Sequence, residues 1–238
     1  MTIGIVNKDK PYDQKKSKLA DNTDLLQPTV AINLQKIETC AVSASDSEFN
    51  WKNIMTKVGS VITGAAGEHF VMAELLRRGL VAAKAPEGVP NFDIVITDIG
   101  GERLAAIQVK TRRDFKSGDK GWHMKAKHEK LSSDRIFYVF VDVGKDEASQ
   151  VSFYVLPSSE VAYVCKRSHE NWLETPSANG KERGDTEMRR LMPKYELPAY
   201  ALKNGYQPSK QHQKFLKNYG EGWMEKYRSA WNLISQKI

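Results

Sequence analysis

The sequence predicts an α/β domain in which helices cover a mixed β-sheet. Helical and strand patterns follow one another as helix, three strands, helix, two strands and further helices, which is the order of a layered α/β domain. The segment RIFYVFVDV at 135–143 is an almost continuous β-branched and aromatic run, as expected for a central strand buried on both faces. At 238 residues the chain is long enough to bury a substantial core.

Composition places the chain among soluble globular proteins, with 40% hydrophobic and 27% charged residues. It contains no apolar run of about 18 residues, which excludes a transmembrane helix, and its first residues lack the apolar stretch of a secretory signal. Cys40 and Cys165 are too far apart for a zinc motif or a disulfide framework. We therefore expect a cytoplasmic protein with no membrane partner.

The first helix is predicted from GAAGEHFVMAELLRRGL at 64–80. Gly64 and Gly67 allow a tight entry, and Gly79 ends the helix as the left-handed residue after its cap. Glu68 is placed in the first turn and on the apolar face, which it shares with Val71, Met72 and Leu75. A carboxylate on an apolar face suggests a function, although the helix dipole also favours a first-turn acid.

The remaining elements follow from their periodicity and their flanking turn residues. We predict a strand at 80–85, a hairpin at 92–98 and 103–111, a helix at 124–132, strands at 135–143 and 151–157, and a helix capped by Ser158 or Ser159. In the tail, Trp223, Tyr227 and Trp231 recur every four residues, which predicts an amphipathic helix that packs on the core.

The hairpin NFDIVITDIGGERLAAIQVKTRRDF at 91–115 carries polar residues where a buried strand would carry more valine. With Gly100-Gly101 as a two-residue turn, Asp93 stands opposite Gln108. Side chains alternate along a strand, so Asp93, Gln108 and Lys110 project to the same face. The opposite face is predicted to belong to the core, through Ile94, Ile96, Ile107 and Val109.

An acid, an amide and an amine on one face suit the hydrolysis of a phosphodiester. A carboxylate binds Mg²⁺, which prefers oxygen ligands and lowers the pKa of a bound water. A lysine ammonium can position that water and stabilise charge in the transition state. Glu68 from the preceding helix is the natural second carboxylate.

The motifs GE in the helix, DIVI on one strand and IQVKT on the next resemble the PD-(D/E)xK nuclease superfamily in its Q-x-K variant, over about residues 60–160. The resemblance implies an α/β fold with a restriction-endonuclease-like αβββαβ core and a mixed central sheet. We expect this core at 51–175, an N-terminal arm at 1–50, and a loop-rich, helical C-terminal extension at 176–238 packed on the core.

The resemblance also implies roles for individual residues. Asp93, Gln108, Glu68 and the Val109 carbonyl would hold Mg²⁺ or Mn²⁺, and Lys110 would be the catalytic lysine beside Glu68, Asp93 and Gln108. The sequence departs from the family at two points, because Pro90 lies three residues before Asp93 and Gln108 replaces an acid. The second departure removes one negative charge from the metal site.

The formal net charge of +7 and the pI near 9.2 favour a polyanionic partner. Residues 103–130 hold nine Lys or Arg against three acids, which concentrates the excess beside the hairpin. A solvated basic face is the alternative. The residues expected to contact phosphate are Thr111, Arg112, Arg113, Lys116, Lys120, Lys125 and Lys127.

These observations predict a metal-dependent endonuclease that hydrolyses DNA, with RNA not excluded as a substrate. The superfamily includes restriction enzymes and phage-defence effectors. Two alternatives stay open: a catalytically inactive DNA-binding module of the same fold, and a subunit of a defence complex that depends on a protein partner. Many relatives act as homodimers. Trp122 is predicted either to stack on a base or to anchor its loop, and His128 either to line the cleft or to take no part in catalysis.

Overall fold

The computed structural model describes residues 59–113 and 121–238. Its strands are β1 Val81–Lys84, β2 Ile94–Thr97, β3 Leu104–Arg112, β4 Trp122–Lys125, β5 Ile136–Asp142, β6 Ser152–Pro157 and β7 Met188–Leu191. Five of them form one sheet in the order β1-β2-β3-β5-β6, while β4 and β7 pair separately. Within the larger sheet, β3 and β5 are parallel and the other neighbours are antiparallel, so the mixed sheet expected from the sequence is confirmed.

Helices cover both faces of this sheet. The α-helices are α1 Ser60–Leu76, α2 Ser158–Glu174, α3 Ala199–Lys203, α4 Lys210–Asn218 and α5 Asn232–Ser235, and there are 3₁₀ helices at Ala126–Glu129 and Glu225–Tyr227. The order of α1, three antiparallel strands and then a strand parallel to β3 is consistent with the restriction-endonuclease-like core that the sequence predicted. No helix of the described segments is both long enough and apolar enough to cross a membrane.

Each face of the sheet has its own hydrophobic core. The first face joins α1 to the odd-numbered residues of β3 and β5, and its core includes Val71, Leu75, Ile94, Ile96, Ile107, Val109, Val139, Trp231 and Ile234. The second face joins α2 to the even-numbered residues of β5, and its core includes Trp122, Tyr138, Phe140, Leu156, Val161, Cys165, Phe215 and Trp223. The predicted core positions of the hairpin, Ile94, Ile96, Ile107 and Val109, are all confirmed as buried.

Helix α1 ends as predicted but begins earlier. Gly79 has a φ of +80°, its N–H donates to Leu76, and the Leu80 N–H donates to Leu75, which together make a Schellman ending. The helix begins at Ser60, so Glu68 lies beyond its first turn. The helix dipole, which favours acids in the first turn, therefore does not explain an acid at this position. Gly67, predicted as part of the entry, instead lies in the middle of the helix.

The close packing of α1 on β3 explains Gly67. A Cβ built on Gly67 would come within 2.8 Å of the Thr111 Cβ and closer still to its hydroxyl oxygen. Only a residue without a side chain lets the helix backbone approach the strand this closely. This contact sets the position of the next residue, Glu68, along β3: it lies near the carboxyl end of the strand.

Two predicted helices are wrong. Residues 124–132 form the end of β4 and a 3₁₀ helix, because Trp122 and Met124 are buried alternately and pair with β7, which comes much later in the chain. The tail is not one helix either, since Arg228 is extended, with a ψ of 120°, and Ser229 has a φ of +48°, which interrupts the segment between Tyr227 and Trp231. Trp223 and Trp231 are core residues as expected, but they lie on opposite faces of the sheet.

Two further expectations concern caps and the arm. Ser158 does not cap α2, whose N-cap is Pro157. The buried Ser158 hydroxyl instead accepts from the Ser133 N–H at 2.8 Å and donates to the Ser133 carbonyl at 2.7 Å. The predicted arm at 1–50, which contains Cys40, lies outside the described residues.

Candidate active site

The β2–β3 hairpin has the predicted register but a different turn. Ile94 pairs with Ile107 and Thr97 with Leu104, which is the alignment that sets Asp93 opposite Gln108. The paired strands end at Thr97 and Leu104, so the two-residue Gly100-Gly101 turn is wrong. Asp98 organises the wider loop, because its carbonyl accepts from Gly101 at 3.1 Å and its carboxylate from the Glu102 N–H at 3.0 Å.

Asp93 is fixed by β3 through one carboxylate oxygen. Its Oδ2 accepts a hydrogen bond from the Gln108 side-chain amide and another, 2.7 Å long, from the Val109 N–H. The Asp93 N–H donates to the Ile107 carbonyl at 2.8 Å, so the backbone is held as well. Burial raises the pKa of Asp93, against the opposing effects of the Val109 N–H and the Lys110 ammonium.

Lys110 lies two residues beyond Gln108 on the same strand and projects to the same face. Burial lowers the pKa of its ammonium, the nearby Asp93 carboxylate raises it, and Lys127 and Lys125 lower it further. Among the described residues, no carboxylate lies within ion-pairing distance of the Lys110 ammonium. A partly buried lysine with a lowered pKa gives up its proton more easily than a surface lysine does.

Glu68 reaches this region from α1, but it is held by a residue that the sequence did not single out. The Lys84 ammonium lies 2.7 Å from the Glu68 carboxylate. This contact raises the pKa of Lys84, and the Asp93 carboxylate raises it further, so Lys84 lies within electrostatic range of both acids. Lys84 ends the strand predicted at 80–85, and only the antiparallel pairing of β1 with β2 brings it to the site.

The oxygen donors fit a hard divalent cation, although they are few. Among the described residues, no group of three or more His, Cys, Asp and Glu side chains could together hold a metal ion. Asp93 nevertheless keeps one oxygen, Oδ1, to which no described residue donates. Mg²⁺ is often bound by one or two carboxylates and keeps several waters, which the Asp93 oxygen, the Gln108 amide oxygen and the Val109 carbonyl would suit.

A buried histidine–tyrosine pair stands behind the predicted residues. Tyr138 of β5 is the register partner of Gln108, so both side chains point to the second face. Its hydroxyl lies 2.7 Å from Nδ1 of His128, which is only 2% exposed. Burial, followed by the charges of Lys110, Lys127 and Lys125, lowers the pKa of His128 to about 4, so its ring is neutral at pH 7.

The predicted phosphate-contacting residues have different surroundings. Lys125 and Lys127 are exposed, whereas Lys116 and Lys120 lie outside the described residues. Arg112 pairs with Asp142 at 2.6 Å and covers the Trp122 ring at 4.0 Å. These contacts within the fold explain the position of its side chain without a phosphate. Arg113 is partly buried, and its Nε is buried with no hydrogen-bond partner among the described residues.

One residue of this group is corrected, and the two alternatives predicted for the neighbouring Trp122 are decided. The Thr111 hydroxyl is buried against Gly67 on the first face, so it does not offer the phosphate contact that the sequence predicted. Trp122 is an anchor rather than a base-stacking residue, since it is 1% exposed and its indole N–H donates to the Val141 carbonyl at 3.0 Å.

No protein-family model matches the sequence, and no curated protein is detectably similar to it. Among solved structures, the chain is similar to a bacterial homing endonuclease, I-Ssp6803I, with 16% identity and a TM-score of 0.39 over 75% of this chain and 93% of that one. It is also similar to Hjc, a Holliday junction resolvase from Archaeoglobus fulgidus, with 14% identity and a TM-score of 0.31 over 54% of this chain and 83% of that one.

Proposed function

We propose that this protein is a metal-dependent endonuclease that hydrolyses DNA phosphodiester bonds, with Asp93, Gln108, Lys110 and Glu68 at its reacting centre. One observation carries the proposal: the carboxylate of Asp93 is held by the amide of Gln108, on the face to which Lys110 also projects. A structural hairpin has no need of an acid, an amide and a partly buried amine on one face. Phosphodiester hydrolysis uses all three.

The roles follow from the surroundings of each group. Asp93, with the Gln108 amide oxygen, the Val109 carbonyl and Glu68, would hold Mg²⁺ or Mn²⁺, which polarises a phosphate and acidifies a bound water. The lowered pKa of Lys110 suits it to orient the attacking water and take its proton. Lys84 holds the Glu68 carboxylate beside this centre.

The test is cleavage of plasmid, linear, single-stranded and branched DNA, and of RNA, with Mg²⁺, Mn²⁺ or no metal. Removing a proton-transfer group costs about 10²–10⁴-fold in rate, so we expect Lys110→Ala to lose at least about 100-fold. Asp93→Ala removes the carboxylate that would hold the metal, so we expect it to abolish metal-dependent cleavage. Lys130→Ala is the matched control, because Lys130 is an exposed lysine that follows the 3₁₀ helix. Cleavage of no substrate with either metal, together with wild-type behaviour of Asp93→Ala in cells, would refute the proposal.

A second candidate is a DNA-binding module that does not cut. The amide at Gln108 favours it, because a glutamine supplies no negative charge to a metal. The described residues also hold no larger acidic cluster that would replace that charge. This candidate predicts metal-independent DNA binding that weakens steeply with salt and is indifferent to Lys110→Ala.

We place the activity in restriction or phage defence, acting in the cytoplasm, alone, as a homodimer or with a protein partner. The partner-dependent form of the proposal has its own measurement. If residues 1–50 dock a partner, a protein that lacks them will lose both a co-purifying chain and any activity that depends on it. An isolated full-length chain that cuts DNA at the same rate as the cellular complex would contradict that form.

A further inference from the structure

Lys84, the last residue of β1, is a second lysine beside the proposed reacting centre. Its ammonium lies 2.7 Å from the Glu68 carboxylate of α1. The next residue, Ala85, donates its N–H to the Asp93 carbonyl at 2.8 Å, so Lys84 lies at the end of the sheet where Asp93 enters β2. Lys84 and Glu68 are therefore held by two different elements at the margin of the proposed site.

The charged groups around Asp93 form a small cluster. The charges of Lys110 and Glu68 reach the Asp93 carboxylate, and the charges of Glu68 and Asp93 reach the Lys84 ammonium. Gln108, where an acid was expected, adds no charge. Two carboxylates thus face two ammonium groups within electrostatic range, and the formal charges of these four groups cancel before any metal binds.

Only one of the two carboxylates is open to a divalent cation. Glu68 is already paired with an ammonium, whereas the Asp93 Oδ1 receives no hydrogen bond from a described residue. Within residues 59–113 and 121–238, no three acidic, histidine or cysteine side chains come together as a metal cluster. Enzymes with two metal ions place them about 3.5–4 Å apart, where they stabilise the attacking and the leaving oxygen. The cation beside Glu68 in this structure is the Lys84 ammonium.

The Lys84 ammonium has donors left for a phosphate. An ammonium group carries three N–H donors, and the contact with Glu68 uses one of them. The Lys84 side chain is 45% exposed, so it is accessible to a ligand from solvent. Lysine binds phosphate as a compact point charge. The contact with Glu68 raises the pKa of Lys84, so this group stays charged at pH 7 and takes no proton from the attacking water.

We propose that Lys84 is a further catalytic residue of this centre: its ammonium takes the place of a second metal ion and donates to an oxygen of the phosphate that is cut. The inference rests on the endonuclease activity proposed above. Lys84 and Lys110 then have different tasks, since Lys110 orients the attacking water and Lys84 stabilises negative charge on the phosphate. In this more specific form of the proposal, Glu68 orients Lys84, and Asp93 is the carboxylate that contacts the single ion.

Three variants test this role against that of an ion pair that only ties β1 to α1. Lys84→Met removes the charge and keeps most of the length of the side chain, and Lys84→Arg restores a cation at the same position. Lys194→Met is the matched control, because Lys194 is 44% exposed and lies 2.7 Å from Glu196, in an ion pair like that of Lys84 but in the segment after β7.

DNA binding is measured first without metal, as the affinity for a short fluorescent duplex at several salt concentrations. Each phosphate contact contributes about 0.9 to the slope of log affinity against log salt concentration. We therefore expect Lys84→Met to lower that slope by about one, and Lys84→Arg and Lys194→Met to keep it. An ion pair with a purely structural role would leave the slope unchanged.

Cleavage at saturating DNA and Mg²⁺ is the second measurement. Loss of one group that stabilises charge in the transition state costs about 10²–10³-fold in kcat. We expect a loss of this size from Lys84→Met, a recovery of at least about tenfold in Lys84→Arg, and a wild-type kcat in Lys194→Met.

The third measurement counts the Mn²⁺ ions bound to the free protein by electron paramagnetic resonance. We expect one ion per chain, because one carboxylate is open to it. Two ions per chain in the wild type would overturn the inference, and so would an active enzyme whose kcat and salt slope are both unchanged by Lys84→Met. If the wild type cuts no DNA with either metal, the proposed function is refuted, whereas a salt slope that still falls in Lys84→Met supports a phosphate contact at Lys84.

Discussion

The two faces of the central sheet share the same strands, but the residues on each face have different roles. On the first face, Ile107 and Val109 of β3 are packed under α1. On the second face, the alternate residues of the same strand, Gln108 and Lys110, lie beside the partly buried Asp93. Gln108 donates to the Asp93 carboxylate, and Lys110 feels its charge without forming an ion pair. On β3, the core residues and the proposed site residues are thus separated by the period-two alternation of one strand rather than by distance along the chain.

The pKa directions show how the second face differs. Burial raises the pKa of Asp93 and lowers the pKa of Lys110, so both groups are driven toward their uncharged forms. A face selected for stability alone would not bury ionisable groups. We therefore expect the polar positions of β3 on the second face, Gln108 and Lys110, to tolerate substitution at the level of folding better than the buried apolar positions of either face.

Truncating the first face should produce the largest loss of stability. Ile107 is 0% exposed, so Ile107→Ala leaves a cavity and lowers the free energy of unfolding by about 2–5 kcal/mol. Leu104→Ala on the same strand is the control, since Leu104 is 55% exposed and a surface change usually costs less than about 0.5 kcal/mol. Guanidinium denaturation measures both, and equal losses would contradict the difference in burial between these two side chains.

The close approach of α1 to β3 can be tested through two glycines of one helix. Gly67→Ala forces a methyl group against Thr111 and should destabilise the fold by about 1–3 kcal/mol. Gly64→Ala meets nothing within 4 Å and should stabilise it by up to about 1 kcal/mol through helix propensity. Thermal denaturation of both variants gives the comparison, and a gain in stability from Gly67→Ala would show that the strand yields.

Acid should weaken the second face through its buried histidine. The pKa of His128 is lowered to about 4, so the unfolded chain takes up this proton first as the pH falls from about 6.5. Its stability contribution is complete above pH 6.5 and is lost toward pH 4, by at most about 1.4 kcal/mol per pH unit. The lowered pKa of His212 adds to the same slope.

The contribution of His128 is isolated by substitution. We expect His128→Gln to reduce the dependence of unfolding free energy on pH between 6.5 and 4, while His69→Gln, at an exposed position, leaves it as in the wild type. Urea denaturation at several pH values measures it. A slope that survives His128→Gln intact would assign the acid sensitivity to other groups.

The smallest expected effect is a gain in stability from a change that should remove the proposed activity. Because burial raises the pKa of Asp93, the stability it allows is present below its unfolded pKa and lost as the pH rises through the folded one. Asp93→Asn keeps an oxygen to accept from Val109 and should raise the unfolding free energy at pH 7 by about 0.5 kcal/mol. At pH 3 the two proteins should converge, and a marked loss of stability at pH 7 would contradict this account.

The sequence predicted those elements of the fold that depend on residues close together in the chain. Alternation placed Ile94 and Ile107 in the core, the β-branched run predicted β5, and Gly79 predicted the end of α1. Residues 124–132 were predicted as a helix because their pairing partner, β7, lies far along the chain. No local window contains that partner.

The same holds for the candidate site: contacts within the hairpin were predictable, whereas contacts with other elements were not. The alignment of Asp93 with Gln108 followed from the hairpin alone, and the register confirms it. Lys84 was not predicted, because it faces Glu68 only after β1 has paired with β2. The burial of the Thr111 hydroxyl was also out of reach, since it depends on how closely α1 approaches β3 at Gly67.

The crossing of the C-terminal segment from one core to the other has a consequence for protein synthesis. Trp223 completes the second face and Trp231 the first, while the Ser229 N–H donates to the Phe153 carbonyl along the outer edge of β6. A ribosome that has translated the sheet but not these residues therefore holds a nascent chain with two incomplete apolar layers and an open strand edge. Such a chain is prone to aggregation. We expect it to need chaperone protection until the last of these aromatic residues emerges.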